Sequence, residues 1–357
     1  MFNDHKTANR GLVSIDILRG VAAGGVFYYH QHIGDLLAKF TGVAFLEYTD
    51  LFGAGYAVPL FFLLSGFCIH LPNIKYLQEN KPLPVKLYLK RRFLRIYPPY
   101  LVALIFSLII NFLIQKDYPL NYSDILTHIF LLQVFSTTYF NSINLVLWTI
   151  SVEFVLYLLY PAFYYLRYKT GLKKAIGSVF LVSLVSISVI EYLGISSVIS
   201  FFFVLNLWFS WCCGAFIADC MKLNQAELRR PIYKLLYAAA IICLFVVDFS
   251  NFSPLKFPLM IIVWAAPLII LVSLEKRLAS NKSVAVKLLT CLGLSSYSLY
   301  LMHQPLIMLK NYLSHLLPPG LQKAGMIVGI LLIPVITWMS YLYIEKPFMR
   351  KKTATLK

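Results

Sequence analysis

The stretch SIDILRGVAAGGVFYYH, residues 14–30, decides how this chain is read. It is an apolar segment of membrane-spanning character that keeps Asp16 and Arg19 near its start and ends on His30. His30 follows Arg19 by eleven positions, close to three helical turns, which puts both on one helix face about 16 Å apart along the axis. That separation is roughly half of a hydrocarbon core of about 30 Å, so with Arg19 near one surface His30 lies near the midplane. Ionisable side chains at such depth cost roughly 2.5–3.5 kcal/mol each on insertion scales; they normally face a polar cavity or a partner and mark a functional site.

The same apolar character recurs outward from this segment along all 357 residues, 59% of which are hydrophobic and 13% charged, at a mean hydropathy of +0.73. A soluble globule is excluded, and the composition defines an all-α, polytopic integral membrane protein. Apolar segments fall at about 12–33, 51–71, 93–114, 146–166, 175–193, 198–218, 233–250, 256–274, 288–309 and 323–344, which predicts about ten transmembrane helices. The net charge of +17 is concentrated in every second link: Lys75, Lys81, Lys86, Lys90, Arg91, Arg92 and Arg95 lie in 72–95, then Arg167, Lys169, Lys173 and Lys174. Lys222, Arg229, Arg230 and Lys234 follow, then Lys276, Arg277, Lys282 and Lys287, and finally a basic tail. Positive-inside anchoring accounts for this pattern better than nucleic-acid binding and predicts that both termini are cytoplasmic. The six cysteines sit in apolar surroundings without ligand-like spacing, so neither disulfides nor a metal is expected. The polar start, residues 1–11, leads into the segment bearing Asp16, Arg19 and His30, and no cleavable signal peptide is expected. Residues 1–357 read as a single membrane domain with no appended soluble domain.

Two constellations carry chemistry. His30, Glu153 and His303 all fall in the outer half of their segments when direction is followed through the chain, and could meet around one cavity. A neutral histidine can take a proton from a hydroxyl while a carboxylate holds its tautomer, an arrangement typically worth 10²–10⁴ in rate. For His303, a hydrogen bond to a neighbouring helix is an equally good reading. The second constellation is KRRFLRIYPPY, residues 90–100, at the cytoplasmic entrance of the third segment. Arg92 and Arg95 share a helix face with Arg91 beside them, and planar guanidinium groups suit bidentate phosphate binding. A phosphorylated cytosolic donor fits there; simple anchoring at the membrane surface also explains such a cluster.

Weaker signals accompany these. Ser65 and Gly66 permit close helix approach, and Asp219, Glu345 and Lys346 lie near cytoplasmic ends where capping or anchoring suffices. The longest outer link, 115–145, holds Asp117, Asp124 and His128, and its 125–134 portion could lie as a short amphipathic helix; the link forms either part of an acceptor cleft or a solvated loop. No GxxxxGK[ST], GxSxG or HExxH pattern is present, and no Asp-x-Asp or Asp-x-Glu pair stands on an outer loop.

At these residues the chain resembles the acyltransferase-3 family of integral-membrane acyltransferases. IDILRGVAAGGVFYYH is similar to the family's opening motif, PLFFLLSGFCI to its second-segment signature and RRFLRIYPPYLVAL to its third. LWTISVEFVLYLLYP resembles its Trp-x-x-x-x-Glu stretch, LGLSSYSLYLMHQPLI its penultimate-segment motif and IEKPFMR its ending. Two departures stand out: Phe154 follows Glu153 where many relatives have a second acidic residue, and Met302 precedes His303 where they have Trp.

The resemblance implies an O-acyltransferase that moves an acetyl or other short acyl group from cytoplasmic acyl-CoA to a hydroxyl of an extracytoplasmic or lipid-linked glycan, in a bacterial plasma membrane. On that reading His30 is catalytic, Asp16 and Arg19 or Glu153 orient or balance it, His303 assists, and acetyl-CoA is held by Arg91, Arg92 and Arg95. Some relatives add an extracytoplasmic esterase-like domain; this chain is expected to act through the membrane domain alone. The competing function is a transporter or flippase for a lipid-linked sugar or small metabolite, for which buried charges are equally natural.

Overall fold

The structure, a computed structural model, describes residues 11–50, 52–115, 119, 121–194, 201–246 and 256–349. Both chain termini, Lys116, Asp117 and the tail bases Arg350, Lys351, Lys352 and Lys357 lie outside these residues.

The described chain is helical throughout, as its apolar segments dictate: with no water in a bilayer core, backbone amides must be satisfied within the segment. In order come α1 Val13–His30, α2 Ile33–Thr41, α3 Ala57–His70, α4 Ile74–Gln78, α5 Val85–Ile114, α6 Tyr122–Ile129 and α7 Trp148–Thr170. They are followed by α8 Leu172–Leu193, α9 Phe201–Leu223, α10 Pro231–Val246, α11 Lys256–Ser273, α12 Glu275–Ser280, α13 Val284–Leu294, α14 Ser296–His315, α15 Pro319–Ser340 and α16 Lys346–Met349. Each of the ten apolar segments coincides with one or more of these helices.

Among the described residues six helices are long and apolar enough to cross a membrane, or seven when α13 and α14 are taken as one span bent by 74°. The count falls below ten for local reasons. Helix α1 has 18 residues and carries Asp16 and Arg19, and the segment predicted at 288–309 breaks at Ser295 between α13 and α14. Outward faces are apolar, with Leu181 and Val185 of α8 and Leu331 of α15 each more than half exposed. Such a belt is what lipid contact demands.

Helix packing relies on close backbone approach. Gly66 of α3 lies against the carbonyl of Trp211 in α9, and a Cβ built on Gly66 would fall inside that oxygen. Gly293 of α13 presses in the same way on the backbone of Asp16 in α1. Small residues are the means by which helices associate where no hydrophobic driving force distinguishes helix from lipid. Gly66→Val is therefore expected to force α3 from α9, costing at least about 1–3 kcal/mol as an overpacked contact. A lower thermal-aggregation midpoint of the purified variant is the readout.

The basic links meet on one face. Tyr164 of α7 donates to the carbonyl of Lys81 at 2.9 Å, and Lys173 reaches Glu227 at 3.6 Å. Glu275 of α12 caps α1, accepting from the amides of Val13 and Ser14 at 2.8 and 2.9 Å. A carboxylate at a helix N-terminus satisfies free amides and complements the dipole.

The long link before α7 is no solvated loop. After the surface helix α6, residues 131–147 fold inward, and Leu131, Gln133, Val134, Ile143, Asn144 and Leu147 are all buried. Irregular backbone buried in this way needs its carbonyls caught by side chains. Tyr100 and Tyr97 donate to His128 and Ile129 at 2.8 and 2.9 Å, Ser151 to Leu131 at 2.8 Å, Asn111 to Ile143 at 2.9 Å and Gln133 to Leu147 at 3.1 Å. His128 is itself enclosed against Asp124, 3.0 Å away, and burial pushes its imidazole below the ordinary histidine value.

Candidate active site

On the face that carries the basic links, α1, α3, α5, α7, the α13–α14 break and the segment bearing Glu345 and Met349 enclose a cavity of about 280 Å³. Arg19, Arg92 and Arg95 all line it, together with Asp16, Glu153 and Glu345. Helical spacing explains which arginines arrive. Arg92 and Arg95 are three apart and share the inward face, whereas Arg91 is turned about 100° away and exposed. The sequence grouped Arg91 with the other two; it does not line the cavity.

The three carboxylates leave the guanidinium groups largely free. Glu153 accepts from Ser65 Oγ at 2.9 Å and from the Tyr157 hydroxyl, while Trp211 Nε1 in turn donates to Ser65 Oγ at 3.1 Å. Glu345 accepts from the backbone N–H and the hydroxyl of Ser298 at 3.2 and 2.8 Å. The Ser298 amide lies in the first turn of α14 and lacks an intrahelical partner because the helix breaks at Ser295. Asp16 approaches Arg19 only to 3.9 Å, Arg92 and Arg95 have no ion pair among the described residues, and Arg92 Nε is buried without a hydrogen bond. A half-buried cation set with loose counter-charges is built to receive an anion.

His30 and His303 lie apart from this cavity, and they do meet. Their ring centroids are 5.1 Å apart at an interplanar angle of 40°. His303 Nδ1 lies 2.8 Å from the Tyr300 carbonyl and 3.1 Å from that of Leu299. Both partners are acceptors, so Nδ1 carries the proton and Nε2 is a bare acceptor; it is buried with no partner among the described residues. The expected hydrogen bond to a neighbouring helix is absent among the described residues: one nitrogen bonds the backbone of its own helix, and the other is left beside His30.

Between cavity and imidazoles stands Tyr300, which lines the cavity while its ring lies 5.9 Å from His303 and 5.6 Å, edge to face, from Phe61. Its hydroxyl pairs with Thr149 at 2.9 Å. Glu153 is therefore on the cationic side of Tyr300 and does not join the two histidines, as the sequence had expected. The reason is that Glu153 is held toward α3 by Ser65 and by Tyr157 of its own helix. Asp16 and Arg19 likewise belong to the cationic cavity; Arg19 shares the helix face of His30 but works at its other end.

Some residues escaped the sequence reading. Ser65 is expected only to pack and Glu345 to cap or anchor; Glu345 does accept the Ser298 amide in the first turn of α14, and both residues also reach the cavity. Asp219 is expected from the sequence to cap or anchor a helix end. It is instead nearly fully buried, accepting from Arg167 Nε at 2.8 Å and pairing with His70 Nε2 at 3.2 Å, and His70 Nδ1 meets the Tyr160 hydroxyl at 3.1 Å. Among the described residues, one group of His and acidic side chains, His32, Asp35 and Asp50, brings its ligand atoms within 4.8 Å. Asp50 is engaged there as a cap, accepting from the amides of Gly34 and Asp35 at 2.9 and 3.3 Å.

An apolar helical membrane domain with a cationic cavity on its basic face and a paired imidazole set deeper along the first helix defines the class. Residues 12–343 match the family model of the acyltransferase-3 domain, and the chain belongs to that family of membrane acyltransferases. It is 25% identical to the peptidoglycan O-acetyltransferase OatA of Listeria monocytogenes over 94% of this chain and 56% of that protein. It is 24% identical to the O-acetyltransferase OatA of Staphylococcus aureus strain NCTC 8325 over 96% of this chain and 58% of that one. The chain thus spans a little over half the length of these curated relatives. No solved structure matches it.

Proposed function

We propose that this protein transfers an acetyl or other short acyl group from acyl-CoA, held on the basic face, to a hydroxyl of a glycan or glycolipid presented from the opposite face. The observation that carries the reading is the convergence of Arg19, Arg92 and Arg95 on one cavity with only a loose carboxylate partner. Phosphate is the anion such forks suit best. Asp16, Glu153 and Glu345, each held by its own donors or neighbour, limit the positive charge and keep the guanidinium groups apart.

His30 supplies the base. In direct transfer one of its nitrogens takes the proton of the acceptor hydroxyl as the oxygen attacks the thioester carbonyl, and the CoA thiolate leaves. His303 Nε2, bare and on a ring centred 5.1 Å from that of His30, is the acceptor available to the N–H of the other His30 nitrogen; engaging it would fix the tautomer and share the positive charge. Two imidazoles this close in a dry setting accommodate one such charge, not two. A two-step route in which His30 is itself acylated uses the same contacts. Family membership and the phosphate-suited cavity favour acyl transfer over transport of an unmodified sugar.

Arg95→Ala removes a charged donor from the cavity and is expected to raise KM for acetyl-CoA by about tenfold or more. Arg91→Ala, outside the cavity, is expected to leave it near the parent value. Steady-state kinetics of the purified protein with a varied donor provides the comparison; equal effects of the two changes would argue for general surface charge and against a donor site.

A further inference from the structure

At the end of the molecule away from the basic links, α5, α14 and the turn at 141–145 enclose a second cleft of about 160 Å³. Its polar wall is made of Ser107, Asn111, Gln115, Asn141, Asn144 and Gln304, and no lining side chain is charged. Ser107, Asn111 and Asn144 are buried, although they belong to apolar surroundings where amides and hydroxyls are costly and mark sites by default.

Part of this wall is structural. Asn111 Nδ2 donates to the Ile143 carbonyl at 2.9 Å, and Asn144 Nδ2 donates to Ser107 Oγ at 3.0 Å and the Leu301 carbonyl at 3.2 Å. These bonds leave Asn111 Oδ1 and the entire side-chain amides of Gln115, Asn141 and Gln304 without a partner among the described residues. Pro305 and Met308 supply an apolar floor.

Amides offer donor and acceptor together, as sugar hydroxyls do, and an apolar floor suits the C–H face of a pyranose ring. A wall with no charge gives a phosphate or carboxylate nothing to pair with. Gln304 follows His303 directly, and Asn144 grips the carbonyl of Leu301, so the cleft sits on the same turn of α14 as the imidazole pair. We infer that this cleft is a subsite for a neutral saccharide unit of the acceptor. It rests on the proposed acyl transfer to a glycan, yet saccharide binding stands as its own measurement.

The test is saturation-transfer difference NMR on the full chain in lipid nanodiscs, with N,N′-diacetylchitobiose as probe. Transfer to the ring protons is expected, and the Gln115→Ala/Gln304→Ala double variant, whose changed side chains hold no structural bond, is expected to weaken Kd about tenfold. An unchanged thermal midpoint for that variant separates lost contacts from lost fold; for a variant with a lowered midpoint, the single changes Gln304→Ala and Gln304→Glu carry the comparison. No transfer to the wild-type protein, or an unaltered Kd in the correctly folded variants, overturns the subsite. Acetyl-CoA binding to the same wild-type nanodiscs, by calorimetry, keeps the two ideas apart. Saccharide binding without donor binding sinks the acyltransfer reading and leaves the subsite; donor binding without saccharide binding does the reverse.

Discussion

His30→Gln is expected to lower turnover by about 10²–10⁴ while leaving the affinity for acetyl-CoA unchanged. The loss follows from removing the proton acceptor beside the attacking hydroxyl. The unchanged donor affinity follows from position, because His30 does not line the cavity that holds Arg19, Arg92 and Arg95. Kinetics on purified protein, with donor affinity measured separately by calorimetry, gives both numbers. His303→Gln is expected to cost less, since the base remains and only its tautomer and its shared charge are lost. Equal effects of the two changes would mean that the histidines act as one unit. Retained glycan acylation in a well-inserted His30→Gln protein would remove His30 from the chemistry.

Asp219→Ala is expected to destabilise the fold by about 3–5 kcal/mol, because it strands the Arg167 cation and the His70 imidazole in a buried site. Asp219 joins the ends of three helices: α9, on which it stands, α7 through Arg167 and α3 through His70. The thermal-aggregation midpoint in detergent should fall sharply for Asp219→Ala and less for Asp219→Asn, which keeps hydrogen-bonding capacity. Asp219→Leu combined with Arg167→Met should recover part of the loss, since both charges are removed and only His70 Nε2 is left without its partner. A midpoint unaffected by Asp219→Ala would show that the cluster has little energetic weight.

Much of the architecture was legible along the chain because a bilayer imposes a simple rule. Long apolar runs must be helices, and the basic links fell on one face as charge patterning predicts. The broken span at Ser295 was not legible. Around the break its apolar run is interrupted only by Ser295, Ser296 and Ser298, residues a helix tolerates, and the pressure of Gly293 on α1 and the capture of Ser298 by Glu345 accompany the bend. The inward fold of 131–147 was hidden for a related cause: its polar composition resembles a loop in water, and its carbonyls are satisfied by residues as distant in sequence as Tyr97 and Asn111.

The site divides along the same line. Residue chemistry and helical period by themselves pointed to Arg19, to the cluster Arg91, Arg92 and Arg95, and to His30 and His303 as titratable groups at depth. Period works within one helix, where 3.6 residues per turn convert spacing into direction. Only the tertiary structure decided which of these groups share a space. Arg19 joined Arg92 and Arg95, Glu153 went with the cations through Ser65 and Tyr157, and His30 was left with His303 beyond Tyr300. Those pairings depend on the depth and rotation of separate helices against one another, which are set by glycine contacts, a helix break and a buried link between segments far apart in the chain.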